Sequence, residues 1–252
     1  MKTYDAKHFV ISMRLKPEAN TLSEHYPFNL SAVKALENSI EFHPAVTFIV
    51  GENGSGKSTL LEALAVSQGF NPEGGTKNFN FSTHASHSDL HQYLRVVKAI
   101  KKPKTGFFLR AESFYNVATE IERLDNGPGG GPIIDSYGGI SLHEQSHGES
   151  FFALMKNRFG KQGLYILDEP EAALSPSRQM AMISLLHQLV GQQCQFIIAT
   201  HSPILLAYPN ATIYEIRGDK LTQVDYEDTD TYAVTKQFLN KYESMLEILL
   251  EE

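Results

Sequence analysis

The sequence of 252 residues suits one α/β domain with insertions, because a single hydrophobic core rarely grows much beyond this size. With 42% hydrophobic and 20% charged residues the composition excludes a disordered or fibrous chain, and no apolar run approaches the roughly 20 residues needed to cross a bilayer. A formal net charge of −7 excludes a surface that binds nucleic acid over most of its area, since such binding rests on Lys and Arg against phosphates. Residues 1–15 lack the continuous apolar core of a signal peptide, and the expected location is cytoplasmic.

In chain order, residues 8–15 alternate with Phe9, Ile11, Met13 and Leu15 on one face, which predicts a half-buried strand in an antiparallel layer. Residues 45–50 are short, apolar and β-branched, the pattern of a central strand buried on both faces. A helix is expected over 58–65, with Leu60, Leu61 and Leu64 along its stripe. Between 69 and 105 the pattern weakens into an insertion in which only 90–100 reads as helical. Lys98, Lys101, Lys102 and Lys104 there read as a solvated helix end before Pro103, with a local basic face as the alternative.

Residues 105–110 predict a strand, 114–124 a helix, and the glycine-rich 126–132 a loop. A buried strand over 164–167 ends at Asp168 and Glu169. Ser175-Pro176 then offers an N-cap and first turn to a helix that buries Ile183, Leu186 and Val190 and stops at Gly191. Cys194, the single cysteine, reads as a core residue before the next buried strand, 195–200. Strand, helix, strand makes a right-handed parallel crossover, with ligands gathering at the strand ends. A hairpin over 212–224 turns at Gly218-Asp219, and a terminal helix over 231–250 carries Phe238, Leu239, Met245, Leu246 and Leu249 for the core or a partner.

Two segments carry chemistry. Gly51-Glu52-Asn53-Gly54-Ser55-Gly56-Lys57-Ser58-Thr59 lies between a predicted strand and helix. Its glycines let the backbone turn N–H groups inward, the helix N-terminus adds its positive end, Lys57 reaches the β- and γ-phosphates of ATP, and Ser58 offers a hydroxyl to Mg²⁺. At the end of the second buried strand Asp168 can orient the Mg²⁺ or its waters, and Glu169 can polarise a water for in-line attack. Adjacent acids at the end of a buried strand are costly without such a role.

Together with Lys57, this acidic pair resembles the ABC-type ATPases. Ser146-His147-Gly148-Glu149 stands where that family has its signature Leu-Ser-Gly-Gly-Gln, Ala173-Leu174-Ser175 matches the D-loop, and His201 matches the switch histidine. The resemblance implies an α/β P-loop fold with a mostly parallel core sheet, an antiparallel β layer and a helical signature subdomain. One ABC-type ATPase domain would span 1–252, with the insertion and signature subdomain in about 69–160. It also implies a homodimer that sandwiches ATP and Mg²⁺, Ser146 and Gly148 of one chain facing the γ-phosphate held at Lys57 of the other. His147 and Glu149 depart from the usual Gly and Gln. Glu112 stands at about the place of the family's Q-loop glutamine and would touch the metal. Asp168-Glu169-Pro170-Glu171-Ala172-Ala173-Leu174-Ser175 and Thr200-His201-Ser202-Pro203 look more like the soluble RecF, SMC and OLD-like ATPases than transporter subunits.

The expected function is therefore a Mg²⁺-dependent ATPase acting as a dimerising switch on a protein or nucleic-acid partner. The alternative is the nucleotide-binding subunit of an ABC transporter. A phosphotransferase has no need of a signature segment or a switch histidine.

Overall fold

The computed structural model describes residues 9–77, 88–112, 114–125, 139 and 147–250. Strand β1 (Val10–Leu15), the short helix α1 (Ser31–Lys34), β2 (Ile40–Glu41) and β3 (Val46–Val50) precede helix α2 (Lys57–Ser67). After β4 (Leu94–Lys98) and β5 (Thr105–Arg110) come helices α3 (Phe114–Asp125) and α4 (His147–Arg158). The crossover β6 (Gly163–Asp168), α5 (Pro176–Gly191), β7 (Gln195–Ala199) follows, then α6 (Pro203–Leu206), the hairpin β8 (Thr212–Arg217) and β9 (Lys220–Val224), and helices α7 (Asp230–Asn240) and α8 (Tyr242–Leu250).

Six strands form the main sheet in the order β5-β6-β7-β3-β8-β9, parallel except for β9. Every residue of β3, β6 and β7 is buried, which explains their near-continuous apolar sequences. Strand periodicity divides these residues between two cores. Phe48, Tyr165, Leu167, Phe196 and Ile198 face α3, α4 and α5 through Val117, Leu154 and Leu186. Ile49, Leu164, Ile166 and Ile197 face α2 through Leu60, Leu61 and Leu64, and beyond it the smaller antiparallel sheet β2-β1-β4 through Val10, Met13, Ile40 and Leu94. The buried Gln195 amide joins the two sheets: its oxygen accepts from Phe9 N and Val10 N, both at 2.9 Å, and its nitrogen donates to Val10 O at 2.8 Å. Ser175 caps α5 as expected, accepting from Arg178 N.

Three expectations are corrected. Residues 90–100 are not a helix but a 3-10 turn, Asp89–Tyr93, and the strand β4, which pairs antiparallel with β1. Of β4 only Leu94 is buried, so its pattern is weak, but Val96 and Val97 suit a strand and complete the free edge of β1. Lys98 accordingly ends a strand, donating to Ser67 O at 2.9 Å, and Lys101, Lys102 and Lys104 lie in the loop to β5. The terminal helix is two helices broken at Lys241, and neither contributes a buried residue: Leu239 is 68% exposed and Leu249 67%. In β1 the register shifts between Val10 and Ser12, so Phe9, Val10 and Met13 are buried while Ile11 and Leu15 are half-buried. The glycine-rich 126–132 and Ser146 lie outside the described residues.

Candidate functional site

The registers Ile49↔Ala199 and Asp168↔Ala199 set the C-terminal ends of β3, β6 and β7 side by side, where open α/β sheets bind ligands. The loop 51–56 leaves β3 there and enters α2. Gly56 has φ 96°, a left-handed value that L side chains rarely adopt, and a Cβ on it would stand 2.9 Å from Leu30 Cβ. This turn starts α2 at Lys57 with its unpaired N–H groups toward the loop. Lys57 is 4% exposed and folds over its own loop, donating to Gly51 O at 2.8 Å and Glu52 O at 2.9 Å. Burial lowers its pKa, against the pull of Glu169, Asp168 and Glu171.

One residue on, Ser58 Oγ donates to Asp168 Oδ1 at 3.1 Å. The other Asp168 oxygen lies 3.9 Å from Arg110 Nε. Burial pushes the Asp168 carboxyl up to about 7, while Arg110 and the Ser58 hydroxyl pull it down. Glu169 follows in a left-handed conformation, φ 49° and ψ 52°, which for a non-glycine residue costs on the order of 1 kcal/mol. Such strain clusters at functional sites, and here it turns the carboxylate out of the strand: Glu169 Oε1 stands 3.6 Å from His201 Nε2, just past β7. Burial and the nearby Lys57 charge lower the His201 pKa, so the ring is neutral at pH 7 and this contact is no ion pair. The backbone N–H of His201 donates to the Glu171 carboxylate.

Two hollows flank the loop. One, of about 720 Å³, is lined by Gly51, Asn53, Ser55, His201, Arg217 and Val234. The other, of about 270 Å³, is lined by Tyr26, Gly56, Lys57, Ser58, Thr59 and Glu169. Glu52 and Gly54 line the first, and Gly54 also the second. The Ser55 hydroxyl is buried there with no hydrogen-bond partner among the described residues. The Ser58 and Asp168 oxygens suit a hard cation. Among the described residues no group of three or more His, Cys, Asp or Glu could hold a metal.

The residues from Gly51 to Thr59, with Asp168, Glu169 and His201, thus meet in one place. Gly148 does not join them. In the first turn of α4 it packs so closely on the Ala173 carbonyl that a Cβ would come within 2.7 Å of that oxygen, and it lines neither hollow. Glu112 is 81% exposed and pairs with Arg110 at 3.4 Å.

Three residues were missed in the sequence. Arg110 is an ordinary strand end until its register with Asp168 is known. Tyr26, 67% exposed, belongs to no periodic element. Glu171 was within reach as the third acid of Asp168-Glu169-Pro170-Glu171.

This sheet, loop and acidic strand end define a P-loop nucleoside triphosphatase. Residues 29–130 match the family described as AAA domain, and 140–206 the AAA ATPase domain. The phosphate import ATP-binding protein PstB 1 of Streptococcus agalactiae is 27% identical over 186 residues, covering 66% of this chain and 73% of that protein. Among solved structures, CbiO1 of Clostridium perfringens, part of the ABC transporter complex CbiONQ, covers 96% of this chain and 100% of its own at 16% identity and a TM-score of 0.52. The SMC head domain of Thermotoga maritima covers 86% of this chain and 98% of its own at 17% identity and a TM-score of 0.42. The chain is an ATPase of the AAA/ABC type.

Proposed function

We propose that residues 1–252 form one Mg²⁺-dependent ATPase unit that pairs with a second copy around ATP and acts as a switch on a protein or nucleic-acid partner. The observation that carries this reading is where the expected site residues lie within one chain. Lys57 and Asp168 are buried, Glu169 and His201 are half-buried with side chains 38% and 34% exposed and the His201 Nε2 atom itself buried, and Gly148 of the signature segment sits apart on Ala173.

Binding begins with Lys57 leaving the Gly51 and Glu52 carbonyls for the β- and γ-phosphates. The loop N–H groups and the Ser55 hydroxyl hold phosphate oxygens, and Tyr26 stacks on the adenine. Ser58 and Asp168 would hold Mg²⁺, which when bound neutralises charge on the phosphate oxygens. Glu169 takes a proton from the water whose oxygen attacks the γ-phosphorus. The bond to the bridging oxygen breaks, and ADP carries away its electron pair. His201, held through its backbone by Glu171, presents a neutral ring to the γ-phosphate, and Ser146 and Gly148 of the second chain close the site with an anion-binding helix start. Glu112, in the loop after β5, would lend a carboxylate to the Mg²⁺ shell.

A Glu169→Gln variant keeps ATP and Mg²⁺ but cannot take the proton. Light scattering of this variant with ATP and Mg²⁺ should report a dimer, and a monomer at every ATP concentration would end the sandwich reading. The likeness to PstB 1 favours a second reading, the nucleotide-binding subunit of an ABC transporter. Recovery of a stable complex with an integral membrane protein after detergent extraction would establish it instead. Among the described residues no helix is long and apolar enough to cross a membrane, so such a partner would supply the spans.

A further inference from the structure

Asp168 can hold a cation only if one of its oxygens is kept facing Ser58. A carboxylate at the end of a strand rotates unless something grips its other oxygen. The group in place to do this is Arg110. It ends β5 as Asp168 ends β6, and the two are register partners on adjacent strands. Its guanidinium donates to two carboxylates, Glu62 at 2.6 Å and Glu112 at 3.4 Å, and stands at ion-pair distance, 3.9 Å, from Asp168 Oδ2. Glu62 lies four residues beyond Ser58 on α2, so the two share one helix face, and Glu62 is only 11% exposed. The Arg110 Nε donor is buried and without a hydrogen-bond partner among the described residues.

We infer that Arg110 is a positioning residue: anchored on Glu62, it holds the Oδ2 side of Asp168 and leaves Oδ1 to Ser58 and the divalent cation. The inference rests on the reading of Asp168 as a metal-side carboxylate. A planar guanidinium spans Glu62 and Asp168 at once, whereas a lysine ammonium is a single point of charge and cannot. Outer partners of this kind orient ligands and typically change metal affinity by about ten- to a hundredfold when removed. The same residue could simply pin α2 to the sheet edge through Glu62. That role would affect folding and ATP binding as a whole, not the metal in particular.

The test uses the full chain loaded with ATP and titrated with Mn²⁺, free Mn²⁺ being read by electron paramagnetic resonance. ATP affinity in EDTA is measured alongside. Arg110→Met should weaken Mn²⁺ binding about ten- to a hundredfold and leave ATP affinity in EDTA within about twofold, with Arg110→Lys in between. If Arg110→Met does not fold, Arg110→Lys carries the comparison. Unchanged Mn²⁺ affinity, or an equal loss of ATP affinity in EDTA, overturns the inference. Asp168→Asn separates the two failures. A Mn²⁺ defect in Asp168→Asn alone removes Arg110 from the argument, whereas no defect in either variant removes the metal reading of Asp168 and this inference with it.

Discussion

Replacing Gly56 by alanine tests whether the shape of the phosphate loop, and not only its charge, makes the site. Two costs add. At φ 96° an L residue is strained, by roughly 1–2 kcal/mol on the scale of left-handed residues. The new methyl would also stand 2.9 Å from Leu30 Cβ and 3.0 Å from Leu30 Cδ1, and overpacking of this kind costs about 1–3 kcal/mol. The sum, about 2–5 kcal/mol, lowers Tm by roughly 5–15 °C in a chain of this size. ATP affinity should fall with it, because the strain lies at the turn that aims the first N–H groups of α2. Adding Leu30→Ala opens the space but leaves φ unchanged, so the double variant should recover part of the stability and little of the ATP affinity. Differential scanning calorimetry and isothermal titration with ATP read the two effects separately. If Gly56→Ala melts within about 2 °C of the parent and binds ATP equally well, the loop geometry described above does not govern binding. The temperature threshold corresponds to about 0.5–1 kcal/mol.

Lys57→Ala should abolish measurable ATP binding by titration calorimetry, because it removes the buried cation that faces Asp168, Glu169 and Glu171; normal turnover by this variant would contradict the site. Tyr26→Ala should raise the KM for ATP about tenfold and leave kcat near its parent value, the loss expected for one stacked base, about 1–3 kcal/mol on an alanine scale. The Asp168 carboxyl, raised by burial from 3.8 to about 7, keeps in the folded chain a proton that the unfolded chain releases. Its contribution to the stability of the metal-free protein is therefore complete below about pH 4 and is lost as pH rises to about 7. Urea melts across this window should show that slope in the parent and not in Asp168→Asn. Metal binding runs the other way, since it needs the carboxylate, and should weaken as pH falls through about 7.

The helices and strands that build the nucleotide end of the sheet were legible because each obeys one local rule. The strands β3, β6 and β7 are buried on both faces and therefore apolar throughout, α5 carries its own cap at Ser175, and the hairpin β8-β9 turns at Gly218-Asp219. Strand β4 was not legible, since it is held by the free edge of β1 and buries only Leu94. The break at Lys241 was also hidden. It interrupts an apolar pattern that continues on both sides and meets no core in the described residues.

At the site, the sequence by itself determined the phosphate loop from Gly51 to Thr59 and the pair Asp168 and Glu169, because there the chemistry depends on residues contiguous in the chain. Only the tertiary structure decided which distant residues join them. His201 comes within 3.6 Å of Glu169 because β7 lies beside β6, Arg110 meets Asp168 because β5 lies on the other side of β6, and Tyr26 reaches the loop from the chain before α1. Strand order in a sheet is a property of long-range packing, and it is this order that turns separate acids and bases into one site.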